Sequence, residues 1–213
     1  MMKIEVERYL GAVTRTVQAL ERDGKPARMV VLSRTYETTV EDLWDAVTNP
    51  ERLPRWFLPV SGDLRKGGRY QLQGNAGGEI LACEAPAHLG LTWEFSGDVS
   101  WVDVRLAGED AGARLTLEHV AHLSDFWKQF GPGAVGVGWD IGLVGLAHHL
   151  KTGGAESFDE ASFSAMDDGK RFIRGCAEDW RRAAVASGDD AAEAAAAAKQ
   201  TAAFYTGETP AGG

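Results

Sequence analysis

The stretch FGPGAVGVGWD, Phe130–Asp140, holds a G-x-G-x-x-G at Gly131, Gly133 and Gly136, and the fold turns on how those glycines are read. A dinucleotide-binding unit needs a strand before them, a helix after them, a second parallel strand, and an acid about 20 residues on for a ribose hydroxyl. A helix does follow. In GVGWDIGLVGLAHHL, Trp139, Leu143, Leu146 and Leu150 recur at i, i+4, i+7 and i+11, the spacing of one helical face. No strand comes after it, only KTGGAESFDEASF and further helix-forming sequence, so no βαβ unit can be built. A second set, Gly138, Gly142 and Gly145, lies on one stripe of the helix. Each interior glycine costs about 1 kcal/mol relative to alanine, which points to a steric need. Either another element approaches closely or the stripe leaves room for a guest molecule.

Upstream, from Gly68 to His122, the apolar pattern has period two. RYQLQG, GEILACEA, LGLTWEF, SWVDVRLAG and ARLTLEHVA are separated by Gly, Pro, Asp and Asn clusters, as in an antiparallel meander. Trp93, Phe95, Val102, Val104, Leu106, Leu115, Leu117 and His119 share one face, and Glu94, Asp103, Arg105, Arg114, Thr116 and Glu118 the other. The apolar face needs a cover, and the long helix supplies it. Before the meander, two β-favouring runs flank Asp23-Gly24, a hairpin turn pair. TTVEDLWDAVTNPERLPRWF reads as a helix capped near Thr38 or Thr39, interrupted at Asn49-Pro50 and restarted to Trp56-Phe57. After the long helix, one helix starts at Asp168 with Phe172, Cys176, Trp180 and Ala183 on a face. A second starts at an Asp190/Glu193 capping box and stops before Gly207, leaving ETPAGG to fray.

Composition excludes several function classes. With 213 residues, 44% apolar and 25% charged, the chain suits one globular core with additions. No run of about 18 apolar residues exists to span a bilayer. The net charge of −9, with 31 acids against 22 Lys and Arg, argues against nucleic acid, whose binders gather cations to neutralise phosphates. MMKIEVERYL lacks the features of a secretory signal, so a cytosolic location is expected. Cys83 and Cys176 stand far apart without metal-type spacing and are read as free thiols.

The order of elements and several words of the sequence resemble the START-like or helix-grip superfamily, also called SRPBCC. DLWDAVTNPERLPRWFLP, GDLRKGGRYQL, GEI, LTWEF, ARLTLEH and GWDIGL are similar to the branch named after the activator of the ninety-kilodalton heat-shock protein's ATPase, over about residues 28–151. The resemblance implies an α+β fold: a curved antiparallel sheet wrapped around a long C-terminal helix, with two short helices after the first strand and a cavity between sheet and helix. The expected division is an N-terminal extension at 1–27 forming a hairpin strand, the START-like domain at 28–151, and a helical extension at 152–213. The eukaryotic co-chaperone carries a separate N-terminal domain that does much of the client contact. Only some 27 residues precede the match here, so chaperone activation is not carried over.

Cavity candidates are Trp56, Phe57, Tyr70, Leu72, Trp93 and Phe95, then Val102, Val104, Leu117 and His119, and from the helix Trp139, Gly142, Leu143 and Leu146. Aromatic walls with one or two polar groups suit an apolar ligand, removing it from water and fixing its orientation; the alternative is a filled core. His119 stands where an apolar residue is expected and can orient a ligand, act as acid or base, or serve as a hydrogen-bonded structural histidine. His119 and His122 lie on opposite strand faces, and His148 and His149 point about 100° apart on a helix, so no metal site and no cofactor is expected. Asp140 is read as a carboxylate near a helix start, favoured by the dipole. Ser33, Ser96 and Ser100 show no partner for a hydrolase triad. The leading function is non-enzymatic binding of a small, largely apolar molecule. A protein-interaction module, or a cyclase or hydrolase on the same fold, are the alternatives.

Overall fold

The computed structural model describes residues 5–208; of the ETPAGG stretch expected to fray, 209–213 lie outside them, while Glu208 is held by Arg174 at 2.6 Å and Lys170 at 3.4 Å. The chain opens on a short helix absent from the sequence reading, α1 (Val6–Gly11). Then β1 (Thr14–Arg22) and β2 (Lys25–Tyr36) form the hairpin. Asp23 and Gly24 have φ of 52° and 72°, both positive as a two-residue type I′ turn requires. The next helix, α2 (Val40–Thr48), is capped by the Thr39 hydroxyl, which accepts from the Asp42 N–H. The expected second helix is a single 3-10 turn, Leu53–Arg55, ended by Trp56 at φ −139°.

The meander is β3 (Val60–Gly62), β4 (Arg69–Leu72), β5 (Gly77–Glu84), β6 (His88–Phe95), β7 (Asp98–Glu109) and β8 (Gly112–His122). Each successive pair from β3 to β8 is antiparallel, and one open sheet runs in the order β1-β2-β8-β7-β6-β5-β4-β3. The helices α3 (Asp125–Phe130), α4 (Gly133–Thr152), α5 (Glu160–Ala165), α6 (Asp167–Ala186) and α7 (Ala191–Thr206) follow. The protein is therefore α+β with the helix-grip fold. Among the described residues no helix is long and apolar enough to cross a membrane.

The chain forms two compact units. The first comprises the chain up to Leu32, His122–Val144 and the chain from Asp159 onward; the second comprises Ser33–Ala121 and Gly145–Phe158. In the first unit α6 packs on β1, α1, α5 and α7, and α7 packs on α3. Here the opening glycines find their explanation. A Cβ at Gly136 would lie 2.3 Å from Cε2 of Trp180, one at Gly133 would lie 2.8 Å from Cγ2 of Thr201, and one at Gly138 would lie 2.9 Å from the Tyr205 hydroxyl. The glycine-rich turn into α4 is thus the surface on which α6 and α7 rest, and its cost in helix propensity is offset by the buried Trp180.

Asp140 corrects a sequence expectation. Because α4 starts at Gly133, the carboxylate lies about two turns inside the helix, beyond the reach of the terminal dipole. Instead it is buried and accepts from Arg15 Nη2 at 2.8 Å, Arg15 Nε at 3.1 Å and Trp180 Nε1 at 2.9 Å. Arg15 also meets Asp179 at 3.0 Å and the carbonyls of Leu10 and Val13. Burial pushes the Asp140 carboxyl upward against the pull of Arg15, while the Arg15 guanidinium is held cationic by Asp140. The pair joins β1, α4 and α6.

In the second unit, cross-strand partners run Ile80–Leu91–Val102–His119 across β5 to β8. Val104 faces Leu117 and Leu106 faces Leu115, so the predicted apolar face is one continuous surface. Gly145 of α4 is also a packing glycine, since a Cβ there would lie 2.5 Å from the Trp56 carbonyl and 2.7 Å from the Phe158 ring.

Candidate functional site

The second unit gathers the candidate site on the apolar face of the sheet. Tyr70, Leu72 and Ile80 form a buried cluster, with Phe57, Leu58, Val60, Leu89, Leu91 and Trp93 only partly covered around it. The Tyr70 hydroxyl donates to the Thr92 carbonyl at 2.8 Å, and burial pushes its pKa up, so it stays a neutral phenol. Trp56 is anchored by its indole N–H to the Ala46 carbonyl at 3.0 Å and stacks on Phe57 with ring centroids 5.5 Å apart. Those two rings are held by the link between α2 and β3.

Polar chemistry on this face is concentrated at His119. Its side chain is buried, its Nε2 lies 2.8 Å from the Ser100 hydroxyl, and its ring centroid lies 6.1 Å from that of Trp93. The Ser100 hydroxyl donates to the Trp93 carbonyl at 3.1 Å. A hydroxyl has one proton to give, so Ser100 accepts from His119 and the imidazole proton is assigned to Nε2. Burial lowers the His119 pKa to about 4, which keeps the ring neutral near pH 7. Such a ring is a weak base. It is suited to orienting a polar end of a bound molecule more than to taking a proton from one.

The other predicted residues divide by place. Val102, Leu117 and Leu146 are buried and Val104 half-buried in the second unit, whereas Phe95, at the end of β6, is 52% exposed. Trp139, Gly142 and Leu143 belong to the first unit, Trp139 half-buried and the other two buried. His122 sits apart from His119, its Nε2 3.0 Å from the Arg22 carbonyl. His148 pairs with Glu156 at 3.2 Å, and His149 lies against Arg52. Two open grooves of about 790 Å³ each occur in the first unit, one beside α3 and α7 and one beside α1 and α6; neither touches a predicted cavity residue.

The sequence shows no partner for Ser100, and the structure supplies one, His119 at 2.8 Å; Ile80 and Leu91 also join the site without being among the candidates. Glu109 pairs with Gly112 across a two-residue turn, and counting back along the register places Val102 opposite His119 and Ser100 one diagonal step away. The turn Asp110-Ala111 carried that signal, but its length is legible only once the strand ends are known.

A family model described as Activator of Hsp90 ATPase homolog 1-like protein matches residues 37–151. Among solved structures, the chain is 32% identical to CalU16 from Micromonospora echinospora in its crystal structure. That match covers 84% of this chain and 99% of that one, with a TM-score of 0.66. The solution NMR structure of CalU16 gives 31% identity over 83% of this chain and 97% of that one, with a TM-score of 0.69. Protein MLL2253 from Mesorhizobium loti is 23% identical over 58% of this chain and 97% of that one, with a TM-score of 0.52, a likeness of fold alone. No curated protein matches the chain.

Proposed function

Since the chain belongs to the Activator of Hsp90 ATPase homolog 1-like family, whose model spans more than half of it, we propose that it binds a small, largely apolar molecule on the apolar face of β4–β8, without chemical turnover. The observation that carries this reading is the half-covered state of Phe57, Leu91 and Trp93 around the buried Tyr70, Leu72 and Ile80, with the His119–Ser100 pair as the polar group beside Trp93. A guest completes the burial of such rings, and one polar pair fixes its orientation. The weak basicity of His119 favours binding over a cyclase or hydrolase role. Thermal unfolding in the presence of a broad panel of aromatic and lipid-like compounds tests the proposal. A ligand of the folded state adds RT ln(1 + [L]/Kd), about 2.7 kcal/mol at a hundredfold excess over Kd. A raised melting temperature for one chemical class is expected, and no shift across the panel contradicts the reading.

The second reading, a protein-interaction module, is favoured by a different observation. Phe126 and Phe204 are 48% and 60% exposed, and both rings pack on Phe130, at 4.7 and 5.5 Å between centroids. Exposed aromatic rings in mutual contact are the material of interface cores. Under this reading Phe204→Ser abolishes association with a partner while leaving any ligand-induced thermal shift intact. Under the first reading it changes neither.

A further inference from the structure

His149 lies near the C-terminal end of α4 and is 3% exposed. Its Nε2 is 3.1 Å from Nε of Arg52. A guanidinium carries only donors, so Nε2 must accept and the single ring proton must sit on Nδ1. That Nδ1 is buried with no hydrogen-bond partner among the described residues. The turn after α4 lies against the ring, since a Cβ at Gly154 would lie 3.0 Å from its Cε1 and 3.5 Å from Nδ1. Arg52 is held in turn by Asp42 at 2.8 Å and Asp45 at 2.9 Å on α2, and Asp42 also accepts from the Thr38 hydroxyl.

The charged and titratable groups facing His149 are Arg52 and Arg55 on the 3-10 segment, Asp42 on α2 and His148 on its own helix, the last paired with Glu156. A second proton on the imidazole would turn the acceptor opposite Arg52 into a donor and set two cations 3.1 Å apart. Asp42 and Asp45 accept hydrogen bonds from Arg52, and Asp42 offsets part of the repulsion felt by the imidazolium.

We propose that His149 is an acid-sensitive latch: neutral, it ties the end of α4 to α2 and the 3-10 turn through Arg52, and on protonation it lets that segment go. Burial, and after it the Arg52 charge, set the proton affinity of His149 below that of an ordinary histidine, so the latch holds at neutral pH and yields in acid. The released segment carries Phe57, which edges the apolar cluster of Tyr70, Leu72 and Ile80, and Trp56, which stacks on Phe57. Acidification thereby uncovers one margin of the apolar face, whether or not that face holds a ligand.

Hydrogen–deuterium exchange of the full chain, without any ligand, at about pH 7.5 and about pH 5 and corrected for intrinsic rates, tests this. Opening of residues 40–57 relative to β6 and β7 should be about tenfold greater at the lower pH. His149→Gln, whose side-chain carbonyl accepts from Arg52 at either pH, should protect the segment equally at both. Equal protection in the unmodified protein, or the same acid loss in the Gln variant, overturns the latch. Should the variant not fold, nitrogen-15 spectra of the unmodified protein decide. An Nδ1–H tautomer with a midpoint below 6.5 supports the latch; an Nε2–H tautomer or a higher midpoint refutes it.

Discussion

Arg15→Met isolates the buried ion pair of the first unit, and its cost can be worked from the geometry. Arg15 Nε lies 3.1 Å from both Asp140 oxygens and Nη2 2.8 Å from one of them, with the two side chains 4% and 0% exposed. Methionine keeps most of the stem but removes these donors, leaving Asp140 the Trp180 N–H at 2.9 Å and the Cys176 thiol. Asp179, the other partner, is 24% exposed and remains solvated. Breaking one side of a buried pair costs about 3–5 kcal/mol, out of a total stability of roughly 5–15 kcal/mol. At about 2–4 °C per kcal/mol for a chain of this size, the melting temperature should fall by roughly 6–20 °C.

The deficit also has a pH signature. With Arg15 gone, burial acts on Asp140 against only the hydrogen bonds from Trp180 and Cys176 and raises its pKa further above the unfolded value. A group so raised binds protons in the folded state, so the deficit is smallest in acid and grows as pH rises through the folded pKa. Arg15→Met/Asp140→Leu removes both charges and should be more stable than Arg15→Met alone, short of full recovery by about 1–3 kcal/mol for the orphaned indole N–H. Urea unfolding of the variants across a range of pH measures all of this. A loss under about 1 kcal/mol for Arg15→Met, or a double variant whose loss equals the sum of the singles, would refute the reasoning.

Gly136→Ala gains about 1 kcal/mol of helix propensity, yet its Cβ would sit 2.3 Å from the buried Trp180 ring. Overpacking of about 1–3 kcal/mol should dominate and lower the melting temperature, whereas a higher one would show that α6 does not need the glycine. Because the pKa of His119 falls from 6.5 to about 4 in the fold, the folded state binds fewer protons than the unfolded chain over that window. Its contribution to stability is complete above 6.5 and declines toward pH 4 by up to about 1.4 kcal/mol per pH unit. His119→Gln should remove that component, and identical pH slopes for the two proteins in urea unfolding would contradict a buried neutral imidazole.

What could be read from the sequence was local. Asp23-Gly24 announced its hairpin through φ > 0, Asp190 its helix through a side chain that accepts from the Ala192 and Glu193 N–H groups, and Gly207 its end through a left-handed cap. Period-two alternation placed Val102, Val104, Leu117 and His119 on one face because pleating allows little else. Non-local facts were hidden. Arg15 meets Asp140 across 125 positions of sequence, and no pattern around either residue names the other. The short helices α1 and α3 carry too few residues for a periodicity to emerge. The stripe of Gly138 and Gly145 advertised a steric need without naming the occupants, which are the Tyr205 hydroxyl at the first and the Trp56 carbonyl with the Phe158 ring at the second. Phe95 obeyed the alternation yet reached solvent because β6 ends there.

Binding on the apolar face is tested most directly by heteronuclear NMR of the purified protein titrated with the compound that gives the largest thermal shift, or with an apolar aromatic dye if none does. The account predicts saturable chemical-shift changes concentrated on Phe57, Leu91, Trp93 and His119, the residues around the half-covered cluster. Saturable changes centred on Phe126 and Phe204, or no saturation at any residue, would contradict it.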